Sequence, residues 1–254
     1  MKLEGKVAVI PGGTAGIGKE IALAYAREGA DVVVMSRKQE HVDKTVAQLK
    51  EEGCANPSGY AVDISNEAAV IDVFKAVHDA YGHIDVMLNA TGIYPNTAFV
   101  ETSGEELMAV LTVNVAGPFY CAREAAKYMI PQHEGRIIFL TSGQALKGVA
   151  LMAHYSASKG ALVSLARAMA AELSPLGITV NTIACGLTAT DNVTDNMPPA
   201  LLENEPKSFP VQRIARPEEY NGVAVLLASD EGSYITAETI AVDGGTSNAS
   251  VPNR

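Results

Sequence analysis

A doubly wound parallel α/β sheet of about seven strands, with helices on both faces, is the fold this sequence predicts, and two features predict it. Short apolar runs rich in β-branched residues alternate with longer stretches of helical periodicity along nearly the whole chain. Repeated βα units of that kind imply a parallel sheet. The first run also opens into a glycine cluster and then a helix, the order in which a backbone can come close to a pyrophosphate.

Lys6 to Ile10 is the first strand, Pro11 to Gly18 the turn, with G-x-x-x-G-x-G spacing, and Lys19 to Glu28 the first helix. A glycine cluster alone also fits a tight turn without a ligand; the strand before it and the helix after it favour the ligand site. Val32 to Met35 is a second buried strand, whose carboxyl end delivers Ser36, Arg37 and Lys38. That end reads the adenosine ribose in such folds: an acid accepts the 2′-hydroxyl of NAD, whereas a cation accommodates the 2′-phosphate of NADP. Asp31 stands at the wrong end of the strand for the first role. Arg37 and Lys38 fit the second, and equally fit a solvated pair that opens the next helix.

A helix from Glu40 to Glu52, a strand from Gly59 to Val62 ending in Asp63, a helix from Glu67 to Tyr81 and a strand from Ile84 to Leu88 continue the alternation. Asn89-Ala90-Thr91-Gly92 then leaves the fourth strand at its carboxyl end, where ligands bind. One long helical stretch is expected from Glu105 to Met129. Within it Asn114 interrupts the apolar series Leu111, Val113, Val115, and taken alone it reads as an internally satisfied core amide. Gly135 to Leu140 is the fifth strand, and it presents Thr141-Ser142-Gly143 to the same crevice as the glycine loop. A helix carrying Tyr155 and Lys159 runs to Pro175, and Gly177 to Ala184 is the sixth strand. Residues 188–209 read as an irregular, Asp-, Asn- and Pro-rich excursion, as in a lid or binding loop. A helix at Pro217 to Ala228, a strand near Thr239 to Val242 and a polar tail from Ser247 to Arg254 complete the chain.

Tyr155 and Lys159 stand four apart, so on a helix they share a face. Half-ionising a phenol near neutrality requires a shift of roughly three pKa units, about 4 kcal/mol. An ammonium about 4 Å away at an effective dielectric of 20 contributes about that much, and a cationic cofactor adds to it. Tyr155 would then exchange a proton with an alcohol or ketone. Such pairs also occur on helices by chance, so the pair gains its meaning from the rest of the chain.

The bulk properties narrow the class. The chain has 254 residues, 48% of them apolar and 19% charged, which suits one soluble domain over residues 1–254. No apolar run reaches the length of a membrane span, and the start lacks a signal-peptide pattern, so a cytoplasmic location is expected. Cys54, Cys121 and Cys185 are odd in number and widely spaced, which predicts free thiols, and the histidines form no ligand cluster, which predicts metal independence. A net charge of −10 speaks against nucleic acid.

Taken together, these residues resemble the short-chain dehydrogenase/reductases, single-domain proteins of the Rossmann fold, over almost the whole length from Lys6 to Gly245. The resemblance rests on the glycine loop, Asp63, Asn89-Ala90-Thr91-Gly92, Asn114, Ser142, Tyr155-x-x-x-Lys159, Asn181 and Asp243-Gly244-Gly245, all in family order. It implies a division of labour. Tyr155 is the acid/base, Lys159 lowers its pKa and holds the nicotinamide ribose, Ser142 binds the substrate oxygen, and Asn114 positions a water in a proton relay. Cofactor contacts are implied for Gly12, Thr14, Gly16, Ile17, Gly18, Ser36, Arg37, Asp63, Ile64, Asn89, Ala90, Gly186 and Thr188. NADP is the expected cofactor, with NAD possible, and a homotetramer the expected assembly. Tyr94, Gln144, Leu146, Val149, Met152, His154 and Leu187 would line the substrate pocket, although His154 also reads as a partly buried structural histidine. Three residues depart from the family pattern: Pro11 for Thr, Thr91 for Ala, and Cys185 for the Pro before Gly186. Pro11 removes a backbone N–H, and Cys185 would loosen a turn beside the nicotinamide.

The reaction implied is hydride transfer between a small or medium secondary alcohol and its ketone. Reduction of 3-oxoacyl groups on a carrier protein is the alternative. Against it, the ends of the two long helices, near Gln132 and Leu176, offer no cation, and the lid carries Asp191, Asp195, Glu203 and Glu205 against Lys207. An acidic carrier would be repelled. A dinucleotide-binding regulator without catalysis is a third reading, which the intact tetrad opposes.

Overall fold

The computed structural model describes residues 1–249, so Ser250 to Arg254 of the polar tail lie outside the described residues. The strands are β1 Val7–Pro11, β2 Asp31–Ser36, β3 Ser58–Ala61, β4 Val86–Asn89, β5 Gly135–Ser142, β6 Ile178–Cys185 and β7 Thr239–Val242. Among the described residues they form one seven-stranded sheet in the order β3-β2-β1-β4-β5-β6-β7, parallel at every pairing. The apolar runs are continuous because both faces of the sheet are covered.

Alternate strand residues feed two cores. Ala8, Ile10, Val32 and Val34 point to one face, where they meet Ile21, Ala22 and Tyr25 of α1 (Gly16–Arg27), Val42 and Leu49 of α2 (Gln39–Glu51) and Leu227 of the last helix. Val7, Val9, Val33 and Met35 point to the other. There they meet Val70, Phe74 and Val77 of α3 (Glu67–Tyr81), with residues of two longer helices beyond. The period-2 strand pattern thus becomes a three-layer sandwich. Asn66 caps the start of α3 by accepting the Ala69 N–H at 3.2 Å, and Gly82 ends it at φ +81°, a left-handed turn that glycine adopts without strain.

Two expectations are corrected. The stretch from Glu105 to Met129 is not one regular helix: α4 (Gly104–Leu111) passes into a π-helical turn, Thr112–Ala116, and then into α5 (Gly117–Gln132). Helical periodicity cannot distinguish an i→i+5 turn inside a helix from its neighbours, and such turns concentrate at functional sites. After α6 (Ala153–Leu173), the lid at 188–209 is not irregular. It contains α7 (Asp191–Asn196) and α8 (Pro199–Asn204), each six residues long, then a 3₁₀ turn, Glu205–Ser208. Thr190 caps α7 and Pro199 opens α8, local signals too short to stand out among Asp, Asn and Pro. A 3₁₀ turn, Pro217–Tyr220, leads into α9 (Asn221–Ala228). No helix among the described residues is long and apolar enough to cross a membrane.

Candidate active site

Neighbouring strands β1 and β4 connect in opposite directions across the sheet, and the crevice at their carboxyl ends is where this class of sheet binds ligands. Gly12 there has φ +81° and Gly16 φ +50°. A Cβ on Gly12 would lie 2.8 Å from the Ala90 carbonyl carbon, and one on Gly18 2.3 Å from the Gly12 oxygen, so a side chain is excluded by space at both and by conformation at Gly12. Thr14 lies in this loop, and Ile17 in the first turn of α1. That turn has no acid, and no side chain caps its amides, so its partial positive charge is unspent. Asn89 adds a buried donor: its Oδ1 accepts from the Thr91 N–H at 3.1 Å and hydroxyl at 2.9 Å, leaving Nδ2 without a partner. A glycine floor, a bare helix start and an orphaned amide fit a dinucleotide.

At the β2 end, Ser36 is half-buried, and Arg37 is exposed and makes no ion pair among the described residues. The Ser65 N–H and hydroxyl, at 2.9 and 2.7 Å, hold the Asp63 carboxyl below the usual carboxylate range, helped by the charge of Arg37. Ile64 turns inward, with its side chain against Gly117. Pro11 ends β1 and its carbonyl accepts the Ala90 N–H at 2.8 Å, so the missing proline donor falls at the strand terminus.

Across the crevice, β5 and α6 bring Ser142, Tyr155 and Lys159 together. Lys159 is 4% exposed; its Nζ donates to the Leu140 carbonyl at 2.9 Å and lies 5.8 Å from the centre of the Tyr155 ring. Burial pushes the ammonium down to about 8. Burial also pushes the Tyr155 phenol upward, and the nearby Ser142 hydroxyl only partly offsets this. Without dinucleotide, desolvation of the phenol sets that direction. Asn114, fully buried in the π turn, spends its amide on structure: Oδ1 accepts the Ile93 N–H at 2.8 Å, and Nδ2 donates to the Ile93 carbonyl at 2.8 Å and to Ser158 Oγ at 3.1 Å.

The expected pocket residues divide. Tyr94 meets the Tyr155 ring edge-on with centroids 6.0 Å apart, and its hydroxyl accepts a hydrogen bond from Asn192 of the lid. Gln144 and Leu146 follow Ser142 directly, with Leu146 and Val149 exposed, and Met152 precedes α6. His154 does not line an open pocket. Its side chain is 1% exposed and packs against Glu106 of α4, Nε2 to Oε1 3.2 Å, without a well-aligned N–H. Leu187 lines a cavity with Gly186, Phe209, Val211 and Arg213. Gly186 and Thr188 follow β6 at the base of the lid. Cys185 loosens no turn: it is the last residue of β6, paired with Ser142 on one side and Val242 on the other.

A family model described as enoyl-(acyl carrier protein) reductase matches residues 12–247. The chain belongs to the short-chain dehydrogenase/reductase family. As a short-chain dehydrogenase/reductase it is an oxidoreductase whose cofactor is a nicotinamide dinucleotide. It is 34% identical to a 3-oxoacyl-[acyl-carrier-protein] reductase of Thermotoga maritima, over 96% of this chain and 99% of that one. It is 35% identical to a 3alpha-hydroxysteroid dehydrogenase of Mediterraneibacter gnavus, over 96% and 98% respectively. The structure of NAD+-bound xylitol dehydrogenase superposes with a TM-score of 0.89 at 28% identity, covering 96% of this chain and all of that one.

Two further residues lie beside the expected site residues without a sequence signal that singles them out. Thr190 has its methyl 3.0 Å from where a Cβ on Gly16 would stand, so the lid base touches the glycine loop. Glu106 joins His154 to Thr97, whose hydroxyl donates to it at 2.5 Å. Neither carries a sequence signal, because each acts on residues remote along the chain.

Proposed function

We propose that this chain interconverts a neutral secondary alcohol and its ketone, with NADP preferred over NAD. The observation that carries the reading is the meeting of Ser142, Tyr155 and Lys159 at the carboxyl ends of β5 and β6, across from the glycine loop. The bound dinucleotide supplies the hydride and, when oxidised, a positive ring. Gly12, Gly16, Gly18 and the first amides of α1 hold its pyrophosphate, Asn89 its adenosine side, and Lys159 its nicotinamide ribose. Ser142 orients the substrate oxygen. Tyr155, kept neutral by burial, donates its proton to that oxygen, so reduction of the ketone suits the phenol as it stands. The preference for NADP is supported by the unpaired Arg37 just beyond β2, and a cytoplasmic setting by three buried free cysteines.

Reduction of a carrier-bound 3-oxoacyl group is the second reading, favoured by the Thermotoga relative. The charge pattern weighs against it. Arg123 and Lys127 of α5 are engaged with Glu67 and Glu124 at 2.7 to 2.8 Å, and Lys207 of the lid bonds Asn204 at 2.9 Å and lies 3.4 Å from Glu203. Of the exposed cations on the two long helices, only Arg167 of α6 is left without an ion pair among the described residues, a sparse patch for an acidic carrier. The proposed assembly is a homotetramer. Its support is the open apolar face of α4, α5 and α6 formed by Met108, Leu111, Val115, Phe119 and Leu165, in which Met108 is 58% exposed.

A panel of small and medium ketones, with an acetoacetyl thioester beside them, followed by NADPH absorbance in wild type and Tyr155→Phe, tests the reading. Wild type should turn over a free ketone, and the phenylalanine variant should lose turnover while binding the dinucleotide nearly as well. Substantial residual turnover in that variant sinks the proposed role of Tyr155; turnover of the thioester alone selects the second reading.

A further inference from the structure

Five residues, Gly186-Leu187-Thr188-Ala189-Thr190, connect β6 to α7 and form the hinge of the lid. Their backbone attachment to the body is thin. An isolated parallel bridge joins Thr188 to Ala215, framed by the Ala215 N–H to the Leu187 carbonyl at 3.0 Å and the Ala189 N–H to the Ala215 carbonyl at 2.9 Å. Beneath it lies Tyr220, fully buried at the start of α9. Its hydroxyl is 2.6 Å from Thr188 Oγ1 and 3.4 Å from the Gly186 carbonyl, and the Thr188 hydroxyl donates to the same carbonyl at 2.9 Å.

Because the Thr188 hydroxyl donates to the Gly186 carbonyl, the Tyr220 hydroxyl donates to Thr188 Oγ1, with a weaker second arm to the same carbonyl, so both protons are used without water. The packing of Tyr220 among Ala224, Val225 and Leu227 needs only an apolar ring. A buried hydroxyl costs free energy unless it is paired, and here every polar contact it makes is to the hinge. Two residues further on, Thr190 touches the glycine loop at Gly16.

We propose that Tyr220 is a positioning residue: its hydroxyl pins Gly186 and Thr188 so that the hinge lies against the glycine loop in one geometry and presents a preformed edge to the dinucleotide. This rests on the reading of the crevice as a dinucleotide site. Burial keeps the phenol neutral and able to donate.

The test compares wild type with Tyr220→Phe, Thr188→Val, the double variant and Thr188→Ser. Two quantities are measured: amide hydrogen exchange at Ala189 and Thr190 without dinucleotide, and the Kd for NADPH by fluorescence. Tyr220→Phe should speed exchange at both amides by about tenfold and weaken NADPH binding about three- to tenfold, the scale of one lost hydrogen bond. The double variant should be no worse than the weaker single variant within about twofold, since either change breaks the Tyr220–Thr188 link that the pin depends on. Thr188→Ser, which keeps the hydroxyl, should keep the slow exchange of wild type at both amides. Unchanged exchange in Tyr220→Phe overturns the hinge assignment whether or not NADPH binds, even if Tm falls. Faster exchange with an unchanged Kd overturns the positioning role. Wild type that binds no dinucleotide overturns the functional reading, while exchange still reports on the hinge.

Discussion

Lys159→Met offers a test in which loss of function should come with a gain in stability. Burial lowers the Lys159 ammonium from 10.5 to about 8, so the folded protein carries a penalty of roughly 3 kcal/mol near neutral pH. The sign follows from proton counting. Between pH 8 and 10.5 the unfolded chain holds this proton more tightly than the folded one, so wild-type stability rises with pH across that window; below it the penalty is fully present. Methionine keeps the length and apolar character of the stem and removes the charge. Loss of the hydrogen bond to the Leu140 carbonyl offsets about 1.5 to 3 kcal/mol of the gain. The variant should therefore be up to about 1.5 kcal/mol more stable at pH 7, while losing turnover. Urea denaturation of both proteins without dinucleotide, at pH 7 and pH 10, measures this. Groups that titrate in both proteins cancel, so the variant's advantage should fall by roughly 2 to 3 kcal/mol over that interval and leave it no more stable than wild type at pH 10. An advantage that stays flat with pH refutes the buried-ammonium argument.

Three further outcomes are expected. Arg37→Ala should reduce the NADPH-to-NADH ratio of kcat/KM by at least about tenfold, the worth of one charge-assisted phosphate contact; a wild type that favours NADH, or an unchanged ratio, shows that Arg37 does not read the phosphate. Light scattering at micromolar protein should give about four times the monomer mass, and Phe119→Glu on the apolar face should dissociate the assembly; a wild-type monomer refutes it. Asn114→Ala should cost about 2 to 4 kcal/mol of stability as well as turnover, because it strands the Ile93 N–H and carbonyl. A lowered kcat at unchanged stability would falsify the structural half of that role.

Most of the βα alternation was legible because strands buried on both faces must be apolar throughout, and Val7–Ile10 or Val32–Met35 can be little else. The glycine loop was legible because space forbids any other residue at Gly12 and Gly18. The π turn at Asn114 and the short helices of the lid were not, since each depends on a few hydrogen bonds whose local sequence also suits its alternatives. Cys185 misled for a related reason: proline or cysteine at a strand end says nothing about whether a neighbouring strand holds it, and β7 does.

Composition and spacing by themselves determined the fold class, the placement of Tyr155 and Lys159 on one helical face, and the crevice edge that Ser142 and the glycine loop share. These follow from periodicity and chain order, which are one-dimensional properties. Tertiary structure alone decided the protonation of the site and the grip on its lid. The phenol of Tyr155 is raised and the ammonium of Lys159 lowered because both are desolvated. Thr188 is held by Tyr220 because α9 packs under the end of β6. Dielectric surroundings and contacts between distant segments exist only once the chain has closed on itself.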